Sequence, residues 1–311
     1  GSSHVRPLVV SNVMVYVEGR GGHVRELAYN WNNQGYVSGD LSLRSPHLFD
    51  NKDISDAAFA RAPFPVCWFV SDGGGLLGLT YIPEQQVYAW HRHDTVDGVF
   101  ESVCAVPEGG EDAVYFVVKR TIDGNEVRYI ERMTNRFYGD IEDAFFVDCG
   151  LTYSGAAADT ISGLDHLEGC TVSVLADGAV QPQQVVTAGA ITIPVEATKI
   201  HIGLPITSDL KTLPPTMQVE AYGQARQKNI NKVWLRLYRS SGIFVGPNES
   251  SLTELKQRTN EPYGMPPVLV SEEVGIPVMP SWGADAQILV RHEDPIPLTL
   301  VSISMEVVFG G

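Results

Sequence analysis

The sequence predicts an all-β protein, with partial β-propeller blades followed by small β-barrel and β-sandwich modules. Three observations carry this. Val-rich runs alternating with polar residues, separated by Gly-containing turns, fill most of the chain, which is the pattern of half-buried strands. Helical periodicity is nearly absent, apart from a turn or two expected over Ser251–Arg258. One hairpin unit also recurs: an aromatic residue in a Val-rich strand, a Gly-containing turn, then a second strand bearing Tyr, with Tyr16, Phe69 and Phe116 as equivalent positions. Their spacing of about 50 residues matches that of kelch-like propeller blades of four strands.

The first copy, VMVYVEGRGGHVRELAY, starts at Val13. Leu41–Pro63 reads as a short helical excursion, so the blade pattern is weakest there. The second copy, VCWFVSDGGGLLGLTY (Val66–Tyr81), surrounds a triple glycine. A phosphate cradle would need these glycines to open a helix whose N–H groups and dipole hold the anion. The residues that follow run into Ile82-Pro83 with no helical continuation. Asp-Gly between β-prone runs instead predicts a hairpin, with glycine supplying the positive φ. QVYAWHRH (Gln86–His93) and GVFESVCAVP (Gly98–Pro107) add strands before the third copy, VYFVVKRTIDGNEVRYIER from Val114.

Beyond Arg132, EDAFFVDCGLTY predicts a strand ending near Tyr153, and Ser154–Ala158 reads as a small-residue linker. His166–Ile206 predicts four or five short strands with Glu-Gly, Asp-Gly and Ala-Gly turns. A third β piece begins near Asn229. The expected segments are therefore 1–153 (blades), 154–225 (small barrel or sandwich) and 226–311 (a C-terminal β module able to return to the first domain). Gly1-Ser2-Ser3 reads as an expression remnant, and the strand-like start at Val5 predicts a fragment of a longer chain.

The formal charge of −15 comes from 37 acidic and 22 basic side chains spread along the chain. It argues against tight nucleic-acid binding, which depends on Lys and Arg neutralising phosphates. No apolar run approaches membrane-span length. Cys67, Cys104, Cys149 and Cys170 contain no CxxC pair and are expected as reduced thiols, with Cys67 and Cys104 facing a core.

His91 and His93 would share a strand face and could present two imidazoles to one metal, with Asp94 or Asp97 nearby. Arg92 between them and the missing third ligand favour a polar strand end, so no metal is expected. Asp165, His166 and Glu168 could serve acid–base chemistry in a hydrolase using the Gly163–Gly169 turn. Neighbours in extended chain point to opposite faces, which favours a capped turn. With no nucleophile elbow, the expectation is a non-enzyme without cofactors. In Lys232–Arg239, Val233, Leu235 and Leu237 line one face and Lys232, Trp234, Arg236 and Tyr238 the other. That basic and aromatic stripe is expected to be a subunit contact first and a DNA-channel surface second.

Four segments carry a family resemblance: Tyr81–Arg120 with WHRH, GVFES and an acidic turn in that order, DHLEGCTVSVLADG, HIGLPITSDLKTLPP, and the closing DPIPLTLVSISMEVVFGG. Together they resemble the tail nozzle or tail-hub family of short-tailed bacteriophages, also called phage stabilisation proteins. The resemblance implies a virion protein made and assembled in the bacterial host cytoplasm. It further implies a homo-oligomeric ring, commonly a hexamer, in contact with other tail or adaptor proteins and passed by DNA without sequence-specific binding. Members of the family are longer at the N-terminus, which implies further blades. The alternative from another class is a β-propeller module recognising a host-surface glycan.

Overall fold

In the computed structural model, which describes residues 1–216, 226–257, 260–262 and 264–310, the alternating runs become six antiparallel sheets joined by turns and single-turn 3-10 segments. The chain is all-β, and it divides into two compact units, Gly1–Asn135 and Arg136–Gly311. This break lies upstream of the one expected after residue 153. The boundary expected after residue 225 and the end of the turn expected at Arg258 lie outside the described residues.

Unit 1 holds three sheets in chain order. β1 (Leu8–Val10), β2 (Val13–Val17), β3 (Val24–Asn30) and β4 (Gly35–Asp40) form the first. β5 (Ile54–Ala60), β6 (Val66–Ser71), β7 (Leu76–Ile82) and β8 (Val87–His93) form the second; β9 (Gly98–Glu108), β10 (Glu111–Ile122) and β11 (Asn125–Arg132) form the third. Tyr16, Phe69 and Phe116 all fall on the second strand of their sheets. The triple glycine closes the β6–β7 hairpin and opens no helix. Gly74 has φ +76°, and a Cβ there would lie 2.3 Å from Cβ of Val99, so both the turn and the close approach require glycine.

The sheets stack face to face. Val15, Val17 and Val24 pack with Cys67, Phe69, Leu77 and Leu79 in one core, and Trp68, Val70 and Leu76 pack with Val114, Phe116 and Val118 in the next. Every residue of β6 is buried, because a strand covered on both faces needs an unbroken apolar run. The first strands adjoin, β1 beside β5 and β5 beside β9. Asp56 fixes the second junction by accepting hydrogen bonds from Ser102 Oγ at 2.9 Å and the Val103 N–H at 3.0 Å.

Leu41–Pro63 is not a helical excursion: only Pro46–Leu48 makes a 3-10 turn, and β5 follows. The small residues of Ala57-Ala58-Phe59-Ala60 have weak strand propensity, but they let β5 sit close to its neighbours, with Ala58 and Ala60 buried. Cys104 corrects a second expectation. Cys67 lies in the core, where burial pushes its thiol up to about 12. Cys104 is exposed, because it stands on the outer face of the third sheet beside Tyr115.

The outer faces of this stack differ. That of the third sheet is laced with ion pairs, Arg128–Glu101 at 2.8 Å, Arg132–Glu111 at 2.8 Å and Lys119–Glu126 at 3.2 Å. That of the first sheet exposes Val9, Met14, Tyr29 and Tyr36. Inside the third sheet Arg120, only 1% exposed, is held bidentately by Glu131 at 2.7 and 2.8 Å and donates to Thr95 Oγ1 and the Val96 carbonyl.

In unit 2, β12 (Asp148–Ser162), β13 (Thr171–Ala176), β14 (Ala179–Val185) and β15 (Ala190–Leu204) form one sheet in the order β12-β15-β13-β14. Ser154–Ala158, expected as a linker, lies inside β12. Its small side chains offer little packing, and main-chain pairing with Lys199 and Ala197 across register shifts keeps it in the sheet. Likewise Glu142 and Asp143, expected in a strand, belong to a 3-10 turn over Ile141–Asp143. The strand expected to end near Tyr153 continues to Ser162. Asp177-Gly178 closes the β13–β14 hairpin and Ala188-Gly189 a turn bridged by Thr187 and Ala190, with both residues of each at positive φ, as two-residue primed turns require.

The remaining strands form two sheets around one core. β16 (Ser208–Lys211), β18 (Ile243–Gly246), β19 (Thr253–Glu254) and β21 (Leu289–His292) make one; β17 (Lys228–Leu237), β20 (Glu273–Pro277) and β22 (Leu300–Phe309) make the other, with β17 central. Val233, Leu235 and Ile276 meet Ile243, Val245 and Val290 between them. The turn expected over Ser251–Arg258 is a 3-10 segment over Glu249–Ser251, and Thr253–Glu254 already pairs with β18.

His292 closes β21 with a cost that depends on pH. It is buried, its Nε2 lacks a hydrogen-bond partner among the described residues, and burial pushes its pKa down to about 4. The unfolded imidazole, near 6.5, therefore binds a proton more readily than the folded one. Stability is complete above about pH 6.5 and declines as pH falls towards 4, by up to about 3 kcal/mol. The urea midpoint is expected to drop between pH 7.5 and 4.5, and His292→Leu should flatten that dependence. An unchanged slope in the variant would show that His292 is not the group responsible.

Candidate functional site

β17 places the predicted stripe. Val233, Leu235 and Leu237 are buried, while Lys232 and Trp234 are half-buried and Arg236 is exposed on the opposite face. Tyr238 is exposed and follows the last strand residue. Lys232 Nζ lies 4.9 Å from the centroid of the Trp234 ring, a cation–π contact that steers the ring along the sheet. Gly275 opposite Trp234 makes room: a Cβ there would lie 2.6 Å from Lys232 Cε and 3.2 Å from Trp234 Nε1.

The electrostatic surroundings sharpen the reading of this stripe. Glu306 stands opposite Lys232 on β22, and Glu273 opposite Arg236 on β20. Two carboxylates flanking two cations offset the field a phosphate backbone would need. They suit a protein surface carrying both charge signs and an aromatic anchor.

His91 and His93 converge as the alternation predicts, with Nδ1 of His91 2.7 Å from Nε2 of His93. Both rings pack on Trp68, with centroids at 5.6 and 5.2 Å. The His91 ring lies over Gly78, where a Cβ would come within 2.0 Å of Cε1. Arg92 points away and pairs loosely with the exposed Asp94 at 3.7 Å, and Asp97 sits in the following turn at φ 47°. Among the described residues no third His, Cys, Asp or Glu joins the imidazoles. The pair packs against Trp68 within the second sheet.

Asp165 and His166 lie in a 3-10 turn over Asp165–Leu167. Glu168 accepts hydrogen bonds from the N–H groups of Ala188 and Gly189 at 2.9 and 2.7 Å, so its carboxylate holds the turn between β14 and β15. His166 Nε2 lies 3.1 Å from the Cys149 carbonyl oxygen. The Asp165 carboxylate also lies against Gly189, where a Cβ would come within 2.6 Å of Oδ1, so the two carboxylates share this turn while His166 faces Cys149.

Tyr29, Trp31 and Tyr36 form a further aromatic cluster on the β3–β4 hairpin. Their signal is the segment YNWNNQGY, aromatics flanking a run of carboxamides. No family model matches the chain, and no curated protein matches it.

Proposed function

We propose that the protein is a non-catalytic structural subunit of a phage tail nozzle or hub, contributing to the conduit through which DNA leaves the particle. The observation that carries this reading is the stack in unit 1. Three antiparallel meanders follow one another in chain order, with first strands adjoining and the repeat aromatics on second strands. Such a stack supports the propeller-blade reading, and it supplies rigid faces for assembly. The sheet β12-β15-β13-β14 and the two-sheet core of unit 2 serve as small barrel and sandwich modules on this reading. No helix among the described residues is long and apolar enough to cross a membrane. A distributed negative charge suits a conduit wall, since it repels phosphates and lets DNA pass without adhering.

The stripe on β17 is the proposed contact between subunits, with DNA contact second. Rings need a heterologous interface, and Trp and Arg dominate the energetics of such contacts. The Trp234→Ala/Arg236→Ala double variant is expected to raise the concentration needed for ring assembly by about tenfold or more. Light scattering across a dilution series, with electron microscopy of the assembled species, measures this. Assembly at wild-type concentration would remove the interface role, and a monomeric wild type would remove the ring.

A further inference from the structure

The tip of the β3–β4 hairpin carries three aromatic rings in an unusual state of exposure. Trp31 is 83% exposed, Tyr36 73% and Tyr29 44%. Tyr29 and Tyr36 are directly opposite on neighbouring strands. Their ring centroids are 5.5 Å apart at 78°, and Trp31 stands edge-on to Tyr29 at 5.1 Å and 84°. Edge-to-face contact is a favoured arrangement of aromatic quadrupoles, so the rings brace one another while leaving ring surface in solvent.

The turn beneath them is built. Asn30 Oδ1 accepts hydrogen bonds from the N–H groups of Asn32 at 2.9 Å and Asn33 at 3.3 Å, which turns the chain immediately after the strand. Gln34 takes φ 48° and donates its N–H to the Trp31 carbonyl at 3.3 Å. Asn32, Asn33 and Gln34 are all exposed. From Tyr29 to Tyr36 there is no charged residue, in a chain whose formal charge is −15.

We infer that this hairpin tip is a binding platform for a neutral oligosaccharide. The axial C–H face of a pyranose is weakly electropositive and packs on the electron-rich face of an indole or phenol ring. The hydroxyls at its rim need neutral donors and acceptors together, and a carboxamide supplies both. Absence of charge selects against anionic ligands. A docked protein sheet fits less well, since it would strip water from three outward carboxamides at once. The site is independent of the ring interface on β17, so either can fail without the other.

The test is a titration of the full chain with maltotetraose, cellotetraose, mannotetraose and chitotetraose, read by saturation-transfer NMR and tryptophan fluorescence. Tetragalacturonate serves as the acidic comparison. Saturable binding to at least one neutral tetrasaccharide is expected, with saturation transfer to ring C–H protons. Trp31→Ala and Tyr36→Ala should each weaken it by about tenfold, while Trp282→Ala in unit 2 leaves it unchanged. Both hairpin positions are exposed, so the fold survives the substitution, which the amide NMR spectrum checks. No saturable binding to any neutral tetrasaccharide would overturn the inference. So would binding that persists in both hairpin variants, or a preference for tetragalacturonate. Trp31-dependent self-association or attachment to phosphatidylcholine vesicles, without sugar binding, would reassign the face to a protein or lipid partner.

Discussion

Glu131→Ala is expected to destabilise the protein by about 3–5 kcal/mol. The Arg120 guanidinium is buried in the third sheet and takes a bidentate carboxylate from Glu131 at 2.7 and 2.8 Å. Removing one partner of a buried pair leaves a desolvated charge without its best compensation, which is worse than removing both. The double variant Arg120→Met/Glu131→Leu should therefore recover a large part of the loss, as apolar groups of similar volume pack between β10 and β11. Urea denaturation followed by tryptophan fluorescence measures both. A single variant within 1 kcal/mol of wild type, or a double variant no better than the single, would show that the pair is not desolvated in solution.

The second large effect lies in the repeat. Phe69→Ala and Phe116→Ala should each cost about 3–5 kcal/mol, as deletions of buried phenyl rings do. Each ring is covered by the sheet preceding its own, Phe69 by the first and Phe116 by the second. Tyr16 occupies the equivalent position on β2, yet it is only half-buried, with its hydroxyl 3.0 Å from Ser38 Oγ. Tyr16→Ala should cost less than about 1 kcal/mol. Equal losses at all three positions would mean that the outer face of the first sheet is covered in solution. A small loss at Phe69 or Phe116 would break the equivalence of the three sheets.

Strand positions were legible because apolar alternation and turn chemistry are local. The runs at Val66, Gln86, Gly98 and Val114 became β6, β8, β9 and β10, and Asp-Gly and Ala-Gly steps became turns at positive φ. The opposed faces of Lys232–Leu237 were legible for the same reason. What failed were segments whose state depends on a neighbour. Ala57–Ala60 and Ser154–Ala158 have weak intrinsic preference, and the strands beside them supply the main-chain partners.

Alternation by itself determined which residues of each strand share a face, and glycine with Asp or Ala determined where the chain reverses. Only the tertiary structure decided which of those faces is covered. Cys67 and Cys104 read alike in sequence, yet one is buried and the other exposed; Phe69 and Tyr16 are equivalent in the repeat, yet only one is enclosed. The physical reason is that a strand's period of two sorts its side chains into two sets. Burial of either set depends on a second sheet arriving from a distant part of the chain.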